Sequence, residues 1–180
     1  MNPYRICKEY LIRQGEEDPY VYGETPLTTL AQIAKECKLN AQDVVYELGC
    51  GRGRSCFWLG AFVNCRVTGI EQIDIFVVKA NQIKTKYTVE NVRFSSGNFL
   101  EFNYKDATVI YLYGTCLEEA TIMHLIKKFA KMAPGSKIIT ISYPLTDYLE
   151  LQNWALFELV HTFQAPFVWG WADVYLHVRR

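Results

Sequence analysis

The chain has 180 residues, half of them hydrophobic, and its 19 basic side chains balance 19 acidic ones. This length and composition predict one folded unit with an ample core and exclude a disordered chain. Balanced charge gives no general attraction to nucleic acid or to an anionic membrane, so we expect neither as a partner.

The N-terminal 20 residues contain no apolar stretch typical of a signal peptide, and no apolar run is long enough to span a bilayer. The six cysteines form no C-x-x-C pair. We therefore expect a cytoplasmic protein with reduced, mostly buried thiols, because a free cysteine behaves as a small hydrophobe.

Residues 1–40 are predicted to form a helical cap. In its second half, residues 25–39 have apolar side chains at helical spacing, with Thr25 a candidate N-cap and Pro26 the first helical residue. The domain proper is expected to span residues 41–180.

Strands and helices are predicted to alternate through this domain. Five short apolar runs have the pattern of buried strands, at residues 43–49, 66–71, 91–97, 107–114 and 136–144. Three segments with a helical pattern separate them, at residues 53–63, 74–87 and 118–132. The predicted inner stripes are Phe76, Ala80, Ile83 and Tyr87 in the second of these segments, and Ile122, Leu125, Ile126 and Phe129 in the third. Two β-rich runs near the C-terminus have no helix between them. The fold class is therefore α/β, a doubly wound, Rossmann-like sheet of seven strands with a C-terminal antiparallel hairpin.

A glycine-rich loop follows the first predicted strand, in the stretch "YELGCGRGR" at residues 46–54. Such a loop, running from a strand into a helix, lets a ligand approach the backbone and presents free N–H groups to it. A phosphate-binding P-loop is excluded because no Lys-Ser or Lys-Thr pair follows. A dinucleotide fingerprint fits poorly, since the third glycine, Gly53, comes one residue early and Arg54 stands in its place.

Two acids narrow the choice of ligand. Glu71 ends the second predicted strand, where an acid binds ribose hydroxyls. Glu47, just before the glycines, would repel a pyrophosphate but suits a ligand with a cationic amino-acid end. S-adenosylmethionine has both a ribose and such an end, and the loop resembles motif I of the class I methyltransferases, E/D-x-G-x-G-x-G.

A second stretch resembles a narrower family. "VYGETPLTTLAQI" at residues 21–33 is similar to the V-Y-G-E-T segment of the seven-strand, non-SET histone lysine methyltransferases of the disruptor-of-telomeric-silencing kind. Four further stretches resemble that family in the same order: "GIEQIDI", "GNFLEF", "ATVIYLYGTCL" and "VYLHVRR".

The resemblance implies an S-adenosylmethionine-dependent methyltransferase that modifies a protein lysine or another amine, and hence a protein substrate. Two alternatives stay open, a catalytically silent methyltransferase-like domain that acts through a partner and a small-molecule methyltransferase. The cofactor-binding residues implied by the motifs are Tyr22, Gly23, Glu24, Thr25, Glu47, Gly49, Gly51, Gly53, Glu71, Gln72, Asn98 and Phe99.

The acceptor side departs from the family pattern. Asn98 replaces the acid of G-D-F-L, and Tyr113 and Gly114 stand where the family has two asparagines. A lysine must lose its proton before it accepts a methyl group, and an apolar aromatic channel favours that loss. Tyr22 and Tyr113 are the candidate catalytic residues, and further candidates to line the channel are Tyr20, Trp169 and Trp171.

Overall fold

A computed structural model describes residues 2–15, 22–149 and 154–180. Seven strands form a single sheet in the order β3-β2-β1-β4-β5-β7-β6. The strands are β1 (Val44–Leu48), β2 (Arg66–Glu71), β3 (Val92–Ser96), β4 (Val109–Leu112), β5 (Lys137–Ile141), β6 (Phe157–Phe167) and β7 (Gly170–Arg179).

The first five strands are parallel, whereas β7 runs antiparallel to β5 and pairs with β6. This arrangement confirms the predicted seven-stranded α/β sheet with a C-terminal hairpin. The strand order reverses between β1 and β4, and in open α/β sheets ligands bind at the carboxyl ends of the strands on either side of such a reversal.

Within the described residues, five α-helices flank the sheet. They are α1 (Pro3–Gln14), α2 (Leu27–Glu36), α3 (Arg54–Trp58), α4 (Asp74–Lys86) and α5 (Glu119–Phe129). A π-helical turn, Leu59–Val63, extends α3. The two together correspond to the helix predicted over residues 53–63. The predicted division at residue 40 stays a prediction.

Two apolar layers cover the two faces of the sheet. On one face Leu30 and Ile33 of α2, with Val77 of α4, belong to the cluster that contains Val45 and Val109. On the other face the predicted inner stripe of α5 is fully buried, at Ile122, Leu125, Ile126 and Phe129. Burial of these side chains on both faces holds the carboxyl ends of β1, β2 and β4 in fixed positions, which is what a ligand site requires.

Two local predictions were wrong. Thr25 does not cap α2, because the residue before the helix is Pro26 and no side chain caps it. The Thr25 hydroxyl instead shares a 2.5 Å hydrogen bond with the Tyr111 hydroxyl of β4. In α4 the buried residues are Phe76, Val77 and Ala80, whereas Ile83 and Tyr87, which had been expected to face inward, are 44% and 66% exposed, and α4 ends before Tyr87.

Candidate functional site

A cleft lies at the carboxyl ends of β1, β2 and β4, where the order of the sheet reverses. Its larger part is a cavity of about 500 Å³, within the range of small-molecule sites. A smaller part, about 20 Å³, adjoins it beside Glu47. The two parts share four lining residues, Tyr22, Gly23, Gly49 and Tyr113. The cleft therefore brings together segments that are far apart in the sequence.

The three glycines of the loop have different surroundings. Gly49 has a φ of +77° and open space where a side chain would be, and it lines both parts of the cleft. Gly51 lies beneath the ring of Tyr22, whose hydroxyl would be 2.8 Å from an added Cβ. Gly53 precedes α3 and lies against Phe94 of β3, outside the cleft lining. Only the first glycine thus offers open backbone to a ligand in the larger cavity.

Glu71 links the end of β2 to the glycine loop. Its carboxylate accepts hydrogen bonds from the backbone N–H of Gly51 at 2.8 Å and of Ile73 at 2.9 Å. Burial raises the pKa of Glu71, while these N–H groups act in the opposite direction. The Gln72 N–H also acts on this carboxylate, which has about four acceptor sites, so at least one remains for a ligand's hydroxyl in the larger cavity, which Glu71 lines.

Glu47 is the buried acid of the smaller part. It is 5% exposed and accepts hydrogen bonds from Ser55 and from the thiol of Cys56, the latter at 2.9 Å. Burial raises the pKa of Glu47 to about 7, although the two hydrogen bonds act to lower it. Among the described residues Glu47 forms no ion pair, and Arg54, which lines the same part of the cleft, pairs with Glu24 instead. An ammonium group in the cleft would therefore stabilise the buried carboxylate.

The segment Tyr22–Thr25 closes the cleft over the loop. The Tyr22 hydroxyl donates to Glu24 at 2.7 Å, and Arg52 donates to both oxygens of Glu24, at 2.5 and 2.8 Å. The guanidinium of Arg54 forms a further ion pair with Glu24, with a nitrogen–oxygen distance of 3.5 Å. Burial would raise the pKa of Glu24, but the hydrogen bonds from Arg52 and Tyr22 outweigh it and lower the pKa. This bidentate pair ties the segment to the glycine loop.

The side of the cleft on which the acceptor was expected is aromatic. Tyr113 lies against Gly23, with a ring carbon that would be 2.9 Å from an added Cβ. The indole N–H of Trp169, at the turn between β6 and β7, donates to the Tyr113 hydroxyl at 2.8 Å. The Phe167 ring stacks on Trp169 with centroids 5.5 Å apart. Neither tryptophan lines the cleft: Trp169 is 54% exposed and reaches it only through Tyr113, and Trp171 is 69% exposed.

The structure places the remaining predicted residues as follows. Gln72 and Phe99 line the larger cavity, and Glu24 and Thr25 line the smaller part. Asn98 is exposed, lines neither part, and accepts a hydrogen bond from the Leu100 N–H. Tyr20 lies outside the described residues. The roles of all these residues in binding stay predictions.

Several lining residues were not expected from the sequence. Cys7 and Leu11 of α1 and Thr115, Cys116 and Leu117 after β4 all line the larger cavity. The residues after β4 could have been found from their place beyond a strand end at the reversal of the sheet. The only sequence signal in α1 is the i, i+4 spacing of Cys7 and Leu11, which indicates a buried face but no ligand.

Comparison with known proteins decides the family. The model of the family described as histone methylation protein DOT1 matches residues 15–153, most of the chain. The chain belongs to this family. Membership confirms the prediction of a class I, S-adenosylmethionine-dependent methyltransferase of the non-SET kind.

Two relatives of this DOT1 family member differ in how much of their length the match covers. A histone-lysine N-methyltransferase, H3 lysine-79 specific, of Dictyostelium discoideum is 29% identical over 157 residues, which are 78% of this chain but 8% of that protein. A protein-lysine N-methyltransferase of Saccharolobus islandicus is 25% identical over 145 residues, 79% of this chain and 85% of that protein. This chain thus corresponds to a small part of the first relative and to most of the second.

A solved structure shares the fold. An RNA methyltransferase from Salinibacter ruber, in complex with S-adenosyl-L-homocysteine, has a TM-score of 0.70 and 22% sequence identity. The match covers 87% of this chain and 93% of that one. At this identity it supports the class I fold of the DOT1 family member and not its substrate.

The cleft fits S-adenosylmethionine. Open space above Gly49 admits a ligand between the two parts of the cleft. Glu71 with Phe99 would hold the adenosine in the larger cavity, and Glu47 would face the amino-acid end in the smaller part. The charges agree, since the ligand carries an amine and a ribose but no phosphate that these carboxylates would repel.

Proposed function

We propose that this DOT1 family member methylates the side-chain amine of a lysine in a protein. The identity of the methyl acceptor goes beyond the family assignment. The named activities of the two relatives support a lysine. The observation that carries the proposal is the pair of Tyr22 and Tyr113, which line the cleft together with the open backbone of Gly49, and Trp169 supports it by donating to the Tyr113 hydroxyl. A cytoplasmic location stays a prediction.

The chain's own residues would act mainly by positioning the acceptor amine and by removing water from it. When bound, the cofactor supplies a methyl group on a sulfonium, already activated for displacement. The protein must hold the incoming amine in line with that methyl group and exclude water from it. Tyr113 is suited to this task because its ring is held from two sides, by Gly23 and by the Trp169 hydrogen bond.

The aromatic walls also favour the neutral form of the acceptor. A free lysine has a pKa of about 10.4 and is protonated at neutral pH. Transfer from water to a half-buried aromatic site disfavours the ammonium and lowers that pKa, so that the proton is released to solvent as the amine enters. A ring stack still accommodates a cation or a methylated amine by a cation–π contact.

The tyrosines would not act as bases. Burial, together with the hydrogen bond to Glu24, raises the pKa of Tyr22 far above neutrality. Burial also raises the pKa of Tyr113, although the bond from Trp169 acts against the shift. Glu24 is already bound by Arg52 and Tyr22. Tyr22 and Tyr113 therefore serve as protonated walls of the acceptor site.

A transfer assay tests this function. The protein is incubated with tritiated S-adenosylmethionine and a cell extract, and the label is measured separately in protein, RNA and small molecules. We expect label in protein, recovered as methyllysine after hydrolysis. Label confined to RNA or small molecules would contradict a protein acceptor. Binding of S-adenosylhomocysteine without transfer to any fraction would instead indicate a catalytically silent domain.

A further inference from the structure

Helix α1 lies outside the region that the family model matches. The match begins at residue 15, whereas α1 spans Pro3–Gln14. Two of its residues nevertheless line the larger cavity, namely Cys7 and Leu11. We infer that α1 is an additional cofactor-binding element of this protein, which covers the adenosine end of the cleft with Cys7 and Leu11. This inference rests on the cofactor used in the proposed function.

The sequence of α1 specifies a helix with defined ends. The Asn2 side chain accepts hydrogen bonds from the N–H groups of Tyr4 and Arg5, and Pro3 occupies the first helical position. Gly15 ends the helix in a left-handed conformation, with its N–H bonded to the Ile12 carbonyl. Capping at both ends makes α1 a regular element and not an extension of the following segment.

One face of α1 packs on parts of the cofactor cleft. Cys7 is 5% exposed and Leu11 is 7% exposed, and they form a buried cluster with Ile73 and Phe76. Ile73 is the residue whose N–H binds Glu71, so α1 rests directly on the loop that carries the expected ribose acid. The charge of Glu71 also reaches Cys7, where it adds to burial in raising the pKa of the thiol to about 11.

A second contact joins α1 to the Tyr22–Thr25 segment. The Tyr4 and Tyr22 rings meet edge to face with centroids 5.3 Å apart. Tyr22 in turn lies over Gly51 and donates to Glu24. Helix α1 thus contacts the elements at both ends of the cleft, the loop after β2 and the segment over the glycines.

The expected occupant of this wall is the adenosine part of the ligand. Phe99, Ile73, Cys7 and Leu11 give the larger cavity an apolar lining around the carboxylate of Glu71. An apolar cover removes water from hydrogen bonds between that carboxylate and ribose hydroxyls, which strengthens them. The ligand would fill the cavity that α1 covers. Binding of the ligand and packing of α1 over the cavity should therefore stabilise each other.

Titration of S-adenosylhomocysteine into the parent, Leu11→Ala and Ile12→Ala proteins tests the inference. Ile12 is the matched control because it is the next residue on α1 and is 56% exposed. We expect Leu11→Ala to weaken binding about tenfold, the equivalent of losing one buried aliphatic contact, and Ile12→Ala to change it by less than about twofold. Far-UV circular dichroism and thermal unfolding confirm that both variants are folded.

Two further measurements keep the inference testable if Leu11→Ala is poorly folded. Cys7→Phe would project a ring into the cavity and should also weaken binding, and Leu11→Met should retain it. Hydrogen exchange of the α1 amides should slow when S-adenosylhomocysteine is added, while that of β6 residues 158–162, at the sheet edge, should not change.

Equal affinity of the parent, Leu11→Ala and Cys7→Phe proteins, with α1 exchange unaffected by the ligand, would overturn the inference and leave the proposed function standing. Failure of the parent itself to bind S-adenosylhomocysteine would overturn both.

Discussion

The two ends of the cleft are built in different ways. At the donor end, where we expect the cofactor, Glu71 accepts from the backbone N–H groups of Gly51 and Ile73, and Glu47 accepts from the side chains of Ser55 and Cys56. At the acceptor end, where we propose that the lysine enters, the hydroxyl of Tyr113 accepts one hydrogen bond, from the half-exposed Trp169. Contacts with the glycine loop, α3 and the loop after β2 thus fix the donor end, whereas contacts between distant side chains shape the acceptor end.

This difference predicts which substitutions affect which ligand. A change at the donor end should abolish or weaken cofactor binding. A change at the acceptor end should alter the use of the methyl acceptor and leave cofactor binding intact. The following variants test the separation, beginning with the largest expected effect.

Gly49→Arg should reduce binding of S-adenosylhomocysteine below detection by calorimetric titration, because the side chain would occupy the open space between the two parts of the cleft. Gly135→Arg is a closely matched control. Both glycines are left-handed, with φ of +77° and +87°, and neither has an atom within 4 Å of an added Cβ. The two variants should therefore share the backbone strain. Equal affinities would refute the placement of the ligand over Gly49.

Glu47→Gln should weaken binding about 10- to 100-fold at pH 8, since hydrogen bonds to charged groups contribute about 1.5–3 kcal/mol. In the parent, affinity should fall as the pH drops below about 7, where Glu47 takes up a proton in the free protein. The variant should lack this pH dependence. A parallel fall with pH in both proteins would show that Glu47 does not face the ligand's amine.

The same substitution should stabilise the fold at high pH. The pKa of Glu47 is raised to about 7 from 4.5, so the folded protein binds more protons than the unfolded chain between those values and loses stability as the pH rises through them. Glu47→Gln removes this loss. Chemical denaturation at pH 8 should give a higher free energy of unfolding for the variant, and a lower value would contradict the assigned direction.

Trp169→Phe should raise the KM for the protein acceptor about 2- to 10-fold, the effect of losing one neutral hydrogen bond, and leave the affinity for S-adenosylhomocysteine unchanged. Trp171→Phe, two residues along and exposed, is the control and should change neither quantity. A loss of cofactor affinity in Trp169→Phe would show that the two ends of the cleft are not separable.

His177, far from both ends, should affect neither ligand. It is fully buried on β7, accepts a hydrogen bond from the Leu145 N–H, and has its pKa lowered by burial from 6.5 to about 4. Between these values the unfolded chain binds more protons at this residue, so the contribution of His177 to stability should fall by on the order of 3 kcal/mol as the pH drops from 6.5 to 4.

His177→Gln keeps an acceptor that does not titrate, and the difference between its pH–stability curve and the parent's isolates the contribution of the histidine. This comparison is needed because Glu47 acts with the opposite sign in the same pH range. Coincident slopes for the two proteins would contradict the assignment.

The donor end could be predicted from the sequence because its chemistry is local. Gly49 and Glu47 lie within three residues of each other, and Glu71 ends the next strand, so strand periodicity places them together. The sheet, its hairpin and the inner face of α5 were predictable for the same reason.

Tyr113 and Trp169 were candidates from the sequence, but the contacts of the acceptor end and the position of α1 could not be predicted in the same way. Tyr113 and Trp169 are 56 residues apart, and their hydrogen bond depends on how the β6–β7 turn meets the end of β4. Thr25 resembled a helix cap in sequence, but its hydroxyl binds Tyr111, 86 residues away. Likewise, Leu11 packs beside Ile73, which is distant in the sequence, and local patterns do not specify such a contact.

A crystal structure of the protein with S-adenosylhomocysteine bound would test the central claim most directly. It should show the ribose hydroxyls bonded to Glu71, the adenine between Phe99 and α1, the ligand's amine facing Glu47, and the sulfur directed towards Tyr22 and Tyr113. A ligand outside this cleft, or one bound with its amino-acid end at Glu71, would contradict the account.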